Sequence, residues 1–437
     1  MKLDVHALLA IATRKVTEFF LLLFYAKKNV CLLFRINMIY LIAVIILRRI
    51  LHCDLNNFFA SVEQVRNPEL KNVPMAVCGD PNKRHGIILA KNYIAKKYGI
   101  YTPELVTSAK GKCPNLVLVE PHYEEYVKYS KLVNEVYLKY TDRVEPFSID
   151  ESFLDVTESE KVFGSAKEIA YKIKEEIKQK YGLTVSIGVS FNKFLAKMGS
   201  DMKKPDAITE LYENDYKSKI YKMPIANMIF AGKATCEELK KYRIETIGDI
   251  AYSNREFLVK KIGKIGGELF DRANGIDISE VKKYTDLYIP KSISKGITLQ
   301  EDTSDIEVLL EICERLTVEV VSRLRKQKLE CGIVCVSLKN SMFITTNRQR
   351  KITSTSSYQC ILKCVKEILR QMLEGNSLIR TITISVSNFT FGEQKQINLF
   401  SAQEENKRCN LGMQVLEKIK DKNKDIKIGF ASDLKKE

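Results

Sequence analysis

Asp150 and Glu151 stand side by side in Ser148-Ile149-Asp150-Glu151-Ser152-Phe153-Leu154-Asp155. Adjacent carboxylates repel each other, and burying them costs free energy unless a cation joins them. A third acid, Asp54, closes the apolar run Ile50-Leu51-His52-Cys53. Three carboxylates delivered by strand ends suit Mg²⁺, a hard ion that takes oxygen ligands. The chemistry this implies is phosphoryl transfer.

The elements that must position these acids can be read from the apolar pattern. Val144, Phe147 and Ile149 before the pair, and Phe153, Leu154 and Val156 after it, read as a hairpin with the acids at its tip. Ile50–Asp54 reads as a strand, followed by a helix from Asn57 to Val65 and a mixed region to Pro114. Helices over Tyr123–Tyr140 and Ser165–Lys180 flank the hairpin. The strand Leu183–Ser190 and a helix from Asn192 to Met202, ending at Lys203-Lys204-Pro205, come next. Strands alternating with helices, with acids on central strands, predict an α+β sheet domain rather than a doubly wound one.

From about residue 217 short helices with Gly turns take over. Gly232-Lys233 and Gly263-Lys264 each start one. Lys282–Gly296 is basic and lacks apolar periodicity, which reads as a linker. Beyond it, the helix Ile306–Gln327, the strand Cys331–Lys339, the helix Tyr358–Leu373 and the strand Ile379–Phe389 predict a further α+β unit. The tail from about 402 is rich in charge.

At 437 residues the chain has room for two to four domains. A formal charge of +16 favours a polyanionic partner, nucleic acid before membrane. Eleven Cys without a paired framework predict free thiols in a reducing cytoplasm. Cys331/Cys335 and Cys360/Cys364 share faces of a strand and a helix, which core packing explains as well as zinc does. Residues 1–48 differ in character from the rest of the chain. Their apolar runs are broken by Arg14, Lys15, Glu18, Lys27, Lys28 and Arg35, and none reaches the ~20 residues of a spanning helix. They read as an atypical N-terminal extension, with initiation expected at Met38 or near Val44 or Leu47, and no stable membrane association is expected.

The ordered set of Asp54–Glu63, Ser148–Asp155, Gly188–Lys197 and Ser200–Pro205 resembles the Y-family DNA polymerases, the translesion enzymes, and within them the polymerase IV type. The resemblance covers about 49–400. It implies a right-hand polymerase with a ferredoxin-like palm (49–57 and 115–215), small fingers (58–114), a helix-hairpin-helix thumb (216–288) and an α+β little finger (292–392). A tail (393–437) with a clamp-binding peptide would complete it. Asp54, Asp150 and Glu151, with the Leu55 backbone carbonyl, would hold two Mg²⁺ ions. Phe59 falls at the aromatic steric gate that excludes the ribonucleotide 2′-hydroxyl, with Phe58 as packing.

Tyr93-Ile94-Ala95-Lys96 resembles the family's Tyr-x-x-Arg triphosphate contact, with Lys96 lacking the bidentate fork of Arg. Lys193 matches the palm lysine that reaches the triphosphate. Asn56 stands where many relatives carry an acid, so it is not counted as a ligand. Gly232, Lys233, Gly263 and Lys264 would present backbone N–H groups to DNA phosphate. Arg323, Arg325, Arg348 and Arg350 would grip duplex DNA. Gln396, Ile397, Leu399 and Phe400 resemble the sliding-clamp peptide.

The implied reaction is low-fidelity extension of a primer on template DNA with deoxynucleoside triphosphates, without proofreading, by a monomer. Competing readings are a Y-family polymerase that depends on accessory subunits, a palm-fold nucleotide cyclase, and an inactive DNA- or clamp-binding module.

Overall fold

The computed structural model of the chain describes residues 48–80, 86–286, 289–373 and 377–391. The N-terminal extension and the clamp-type peptide Gln396–Phe400 lie outside the described residues. The chain divides into two compact units, with the boundary between Asp286 and Leu287.

The first unit opens with β1 (Ile50–Leu55), buried along its whole length. Burial on both faces explains why β1 carries no polar alternation. Asn57 takes the left-handed conformation, φ 47°, and starts the helix Phe58–Arg66; Asn tolerates that region better than most residues. A small sheet is made of β2 (Met75–Cys78), β3 (Ile88–Lys91) and β4 (Val117–Val119), in the order β3-β2-β4. The short helices Tyr93–Lys97 and Val106–Lys112 close its core over Ala76, Ile88, Ala95 and Ala109.

β5 (Val144–Pro146), β6 (Glu151–Asp155), β7 (Val185–Ser190) and β8 (Ile208–Leu211) complete a second sheet with β1, in the order β5-β6-β1-β7-β8. β1 is central and antiparallel to both neighbours. Its residues divide by parity. Leu51, Cys53 and Leu55 meet the helices Tyr123–Tyr137 and Ala166–Tyr181 in a core that includes Val133, Ile169, Ile173 and Ile177. Ile50, His52 and Asp54 face the helix Lys193–Met202, where Ile50 packs on Ala196 and His52 contacts Ser200. The helix starts cleanly because the Asn192 side chain accepts the Leu195 N–H at 2.8 Å.

Five short helices come after this sheet: Tyr216–Ile220, Lys233–Lys240, Ile247–Tyr252, Arg255–Ile262 and Lys264–Ala273. Gly263, at φ 71°, joins the last two, a conformation that glycine adopts without steric cost. After them Val281 is buried against Ile50, Phe153 and Ala196.

The second unit is an antiparallel sheet of β9 (Ser292–Thr303), β10 (Leu329–Asn340), β11 (Thr345–Thr355) and β12 (Ile379–Phe391), in the order β11-β10-β12-β9. The helices Ile306–Lys326 and Tyr358–Met372 share its core with β10 and β12. In this unit two strands differ from the sequence reading, as do β2, β3, β4 and β8 in the first unit, which it did not name. β9 begins at Ser292, inside the stretch read as linker, and β11 was not anticipated. Both are edge strands held by backbone pairing, and β11 is exposed over most of its length, so neither carries a full apolar period. Cys331 and Cys364 are buried in this core, while Cys360 is exposed. Among the described residues no helix is long and apolar enough to cross a membrane.

Candidate active site

The strand register brings the acids together. Asp54 on β1 lies directly opposite Glu151 on β6, and the Leu55 N–H donates to the Asp150 carbonyl at 3.0 Å. Like charges placed directly across a strand pair are destabilising, and Asp54 is only 6% exposed. Two ammonium groups offset the repulsion. Lys197 Nζ lies 3.2 Å from Asp54 Oδ2, 3.0 Å from Glu151 Oε1 and 3.2 Å from Asp201 Oδ2. Lys204 Nζ reaches the same Asp54 oxygen at 2.7 Å and Asp201 Oδ1 at 2.8 Å.

Beneath them His52 is fully buried. Its Nε2 lies 3.3 Å from Glu151 Oε2. The Ser200 hydroxyl donates to the Lys197 carbonyl at 2.8 Å, and its oxygen lies 2.8 Å from His52 Nδ1. Burial pushes the Glu151 carboxyl up, but His52 and Lys197 outweigh it and hold the group below the usual carboxylate range. Asp150 goes the other way. Burial first, then the charges of Asp54 and Glu151, raise it against the Ser148 hydroxyl, which donates to its carboxylate at 2.6 Å.

The donor set fits a hard divalent ion: three carboxylates at strand ends, with the Leu55 carbonyl adjoining. The Lys197 ammonium already bridges two of the acids as a cation would. Among the described residues no three such side chains converge on one point as metal ligands; Asp54 and Glu151 turn toward the lysines and Asp150 toward the Ser148 hydroxyl. Asn56 is buried and otherwise engaged. Its Nδ2 donates to Ser186 Oγ at 2.9 Å and its Oδ1 accepts the Asp206 N–H at 2.8 Å, tying β7 to the segment after Lys204.

Phe58 is buried and Phe59 half-buried, the latter stacked on Tyr126 with ring centroids 4.1 Å apart. Tyr93 opens its helix, where the Asn92 side chain accepts the Ala95 N–H at 2.9 Å. Burial, and then the charge of Asp54, raise the Tyr93 hydroxyl against the opposing pull of Lys204, so this ring lies within electrostatic reach of the acids. Lys96 is exposed, its ammonium 5.8 Å from the Tyr93 ring centre.

Lys193 is seated elsewhere. Both Glu145 oxygens hold its ammonium at 2.9 Å, and it lies 4.8 Å from the Phe153 ring centre. The lysines that reach the acids are Lys197 and Lys204. The sequence reading gave neither a role, although Lys197 stands one turn after Lys193 on the same helix; Lys204 lies just past the helix end at Met202.

Gly232 caps the helix Lys233–Lys240. The side chains of Lys233 and Lys264 are 91% and 92% exposed, each beside a glutamate one turn on, Glu237 at 3.8 Å and Glu268 at 3.6 Å. In the second unit Arg323 donates to the Ser294 carbonyl at 3.2 Å and Arg325 to the Ser356 carbonyl at 3.1 Å, so both brace their own unit. Arg348 and Arg350 stand on β11; Arg348 donates to the Gln371 carbonyl and Arg350 pairs with Glu367.

Comparison with known proteins gives the family. The family model described as the impB/mucB/samB family matches residues 53–201, and its C-terminal domain matches residues 290–399. The DNA polymerase IV of Acetivibrio thermocellus is 44% identical over 357 residues, covering 81% of this chain and 89% of that protein. That of Clostridium kluyveri is 40% identical over 349 residues, covering 80% and 87%. Among solved structures, a Y-family DNA polymerase chimera, Dbh-Dpo4(243-245)-Dbh, has a TM-score of 0.72 at 26% identity, covering 78% of this chain and 99% of that one. An insertion ternary complex of Dbh DNA polymerase has a TM-score of 0.58 at 25% identity, with the same coverage. With both family domains, these relatives and the fold in agreement, the chain belongs to the Y family of DNA polymerases, in the polymerase IV branch, and is a DNA-directed DNA polymerase of translesion synthesis.

Proposed function

We propose that the chain extends primers by two-Mg²⁺ nucleotidyl transfer, at low fidelity and without proofreading. The observation that carries this reading is the facing pair Asp54 and Glu151, with Asp150 at the hairpin tip and two ammonium groups standing in for cations. Asp54, Asp150, Glu151 and the Leu55 carbonyl would hold the ions. When bound, they lower the pKa of the primer 3′-hydroxyl and neutralise the triphosphate and the departing pyrophosphate.

The protein's own groups orient the nucleotide. Lys204, released from Asp54, receives phosphate oxygens together with Tyr93 and Lys96, and Lys197 stays to balance the acids. The Phe59 ring packs under the sugar and leaves no room for a 2′-hydroxyl. The residues around β5–β8 form the palm and those around β2–β4 the fingers. The short helices form the thumb and the second unit the little finger. Fingers built on strands of three or four residues give a shallow enclosure for the base pair, in keeping with low fidelity. Gly232, Lys233, Gly263 and Lys264 bind DNA phosphate, Arg348 and Arg350 reach duplex from β11, and Gln396–Phe400 docks on a sliding clamp. The enzyme works as a monomer in the cytoplasm.

Primer extension by the purified chain tests the reading. Wild type is expected to extend with deoxynucleotides only, Asp150→Ala to be inactive, and Phe59→Ala to admit ribonucleotides. Absence of Mg²⁺-dependent extension by wild type would refute it. Extension by the single chain argues against a need for accessory subunits.

A further inference from the structure

Phe59 and Glu63 stand one turn apart on the helix Phe58–Arg66 and share a face. Both reach Tyr126 on the helix Tyr123–Tyr137, Phe59 at its ring face and Glu63 at its hydroxyl. The Phe59 ring lies flat on the Tyr126 ring, with centroids 4.1 Å apart and planes 12° from parallel. The Tyr126 hydroxyl donates to Glu63 Oε1 at 2.6 Å and accepts the His122 N–H at 3.1 Å.

Tyr126 is 0% exposed and Glu63 is 3% exposed. A carboxylate this deep is costly unless fully partnered. Arg66 supplies Oε2 at 2.8 Å, and His122 Nδ1 lies 2.9 Å from Oε1. Burial works against the carboxylate, yet Tyr126, His122 and Arg66 hold it below the usual range.

Packing alone does not call for this arrangement. A Phe at 126 with a Leu at 63 would fill nearly the same volume with no buried charge to satisfy. What the pair adds is orientation, because a ring fixed at its face and at its hydroxyl cannot rock. Exclusion by a clash works only if the clashing ring cannot give way.

We propose that Glu63 is a positioning residue for sugar discrimination: through Tyr126 it holds Phe59 in place against the 2′ position of the incoming nucleotide. This rests on the reading of Phe59 as steric gate.

The test is single-nucleotide insertion by the full chain, read as the ratio of kcat/KM for a deoxynucleotide to that for its ribonucleotide. Phe59→Ala should collapse the ratio. Tyr126→Phe and Glu63→Leu should each lower it about tenfold, the scale of one hydrogen bond to a charged group, with deoxynucleotide insertion largely kept. Glu63→Gln, which retains an acceptor for the hydroxyl, should restore it. Phe59→Ala/Tyr126→Phe should fall no lower than Phe59→Ala, since the effect runs through the gate.

If Phe59→Ala collapses the ratio while Tyr126→Phe leaves it at the wild-type value, this proposal fails and the gate reading stands. If Phe59→Ala itself keeps the ratio, both fail. Should Glu63→Leu not fold, Tyr126→Phe, which removes one oxygen, decides the matter.

Discussion

Lys197→Met removes the cation that bridges the acids while keeping nearly the same side-chain volume. In the folded chain Lys197 Nζ lies 3.0–3.2 Å from three carboxylates, its side chain is 11% exposed and Asp54's is 8%. At that separation and an effective dielectric near 20, each contact attracts with about 5 kcal/mol before desolvation is subtracted. Breaking a buried pair leaves a net loss of about 3–5 kcal/mol. Here it is smaller, because Asp201 is 49% exposed and Lys204 still reaches Asp54. A loss of about 2–3 kcal/mol remains, which for a unit of this size lowers the melting temperature by roughly 5–10 °C.

The same argument fixes the effect of metal. Mg²⁺ supplies the charge that the variant lacks, so it should stabilise Lys197→Met more than wild type. At about a hundredfold excess over its dissociation constant it contributes about 2.7 kcal/mol. Differential scanning calorimetry in EDTA and in Mg²⁺, tracking the transition that Mg²⁺ shifts, measures both effects. Equal melting temperatures for variant and wild type in EDTA would refute the electrostatic reading of the site. Equal Mg²⁺ shifts in the two proteins would refute the placement of the ions on these acids.

The geometry sets three further outcomes. Lys204→Ala should cut kcat/KM for deoxynucleotides roughly a hundredfold, whereas Lys193→Ala should leave KM near wild type and lower only the melting temperature, as steady-state kinetics and calorimetry will show. Gly188→Ala would place a Cβ 1.9 Å from the Ala196 carbonyl oxygen and 2.5 Å from the Ser200 nitrogen. Backbone atoms cannot swing aside, so a loss of about 3 kcal/mol or more is expected in thermal melts. Arg348→Ala/Arg350→Ala should reduce the slope of log affinity for duplex DNA against log salt by about 2, measured by fluorescence anisotropy.

The acids were legible in the chain because their chemistry is local. Adjacent carboxylates at the end of an apolar run have few uses without a cation, and β1 and the Asp150-Glu151 hairpin can be read from hydrophobic pattern. The longer helices were legible for the same reason, to within a few residues, whereas the short ones at Tyr93–Lys97 and Val106–Lys112 were not. The helix Ala166–Tyr181, for example, is announced by Ser165 and Glu168, which form a capping box. β11 and the start of β9 were not legible. Their order comes from backbone hydrogen bonds to a neighbouring strand, which polar side chains do not advertise.

Helical spacing in the chain puts Lys193, Lys197 and Ser200 on one face of the helix Lys193–Met202, with Lys204 just beyond its end. Which turn of that face meets the acids was a matter of tertiary structure. The helix seats where Gly188 on β7 leaves room for the Ala196 carbonyl and Gly199 passes close to the Gly188 backbone. That contact sets the height of the helix on the sheet. It delivers Lys197 to Asp54 and Glu151, carries Lys204 to Asp54, and leaves Lys193 one turn short, against Glu145. Spacing along a chain fixes direction on a helix, but only packing against a partner fixes translation along its axis.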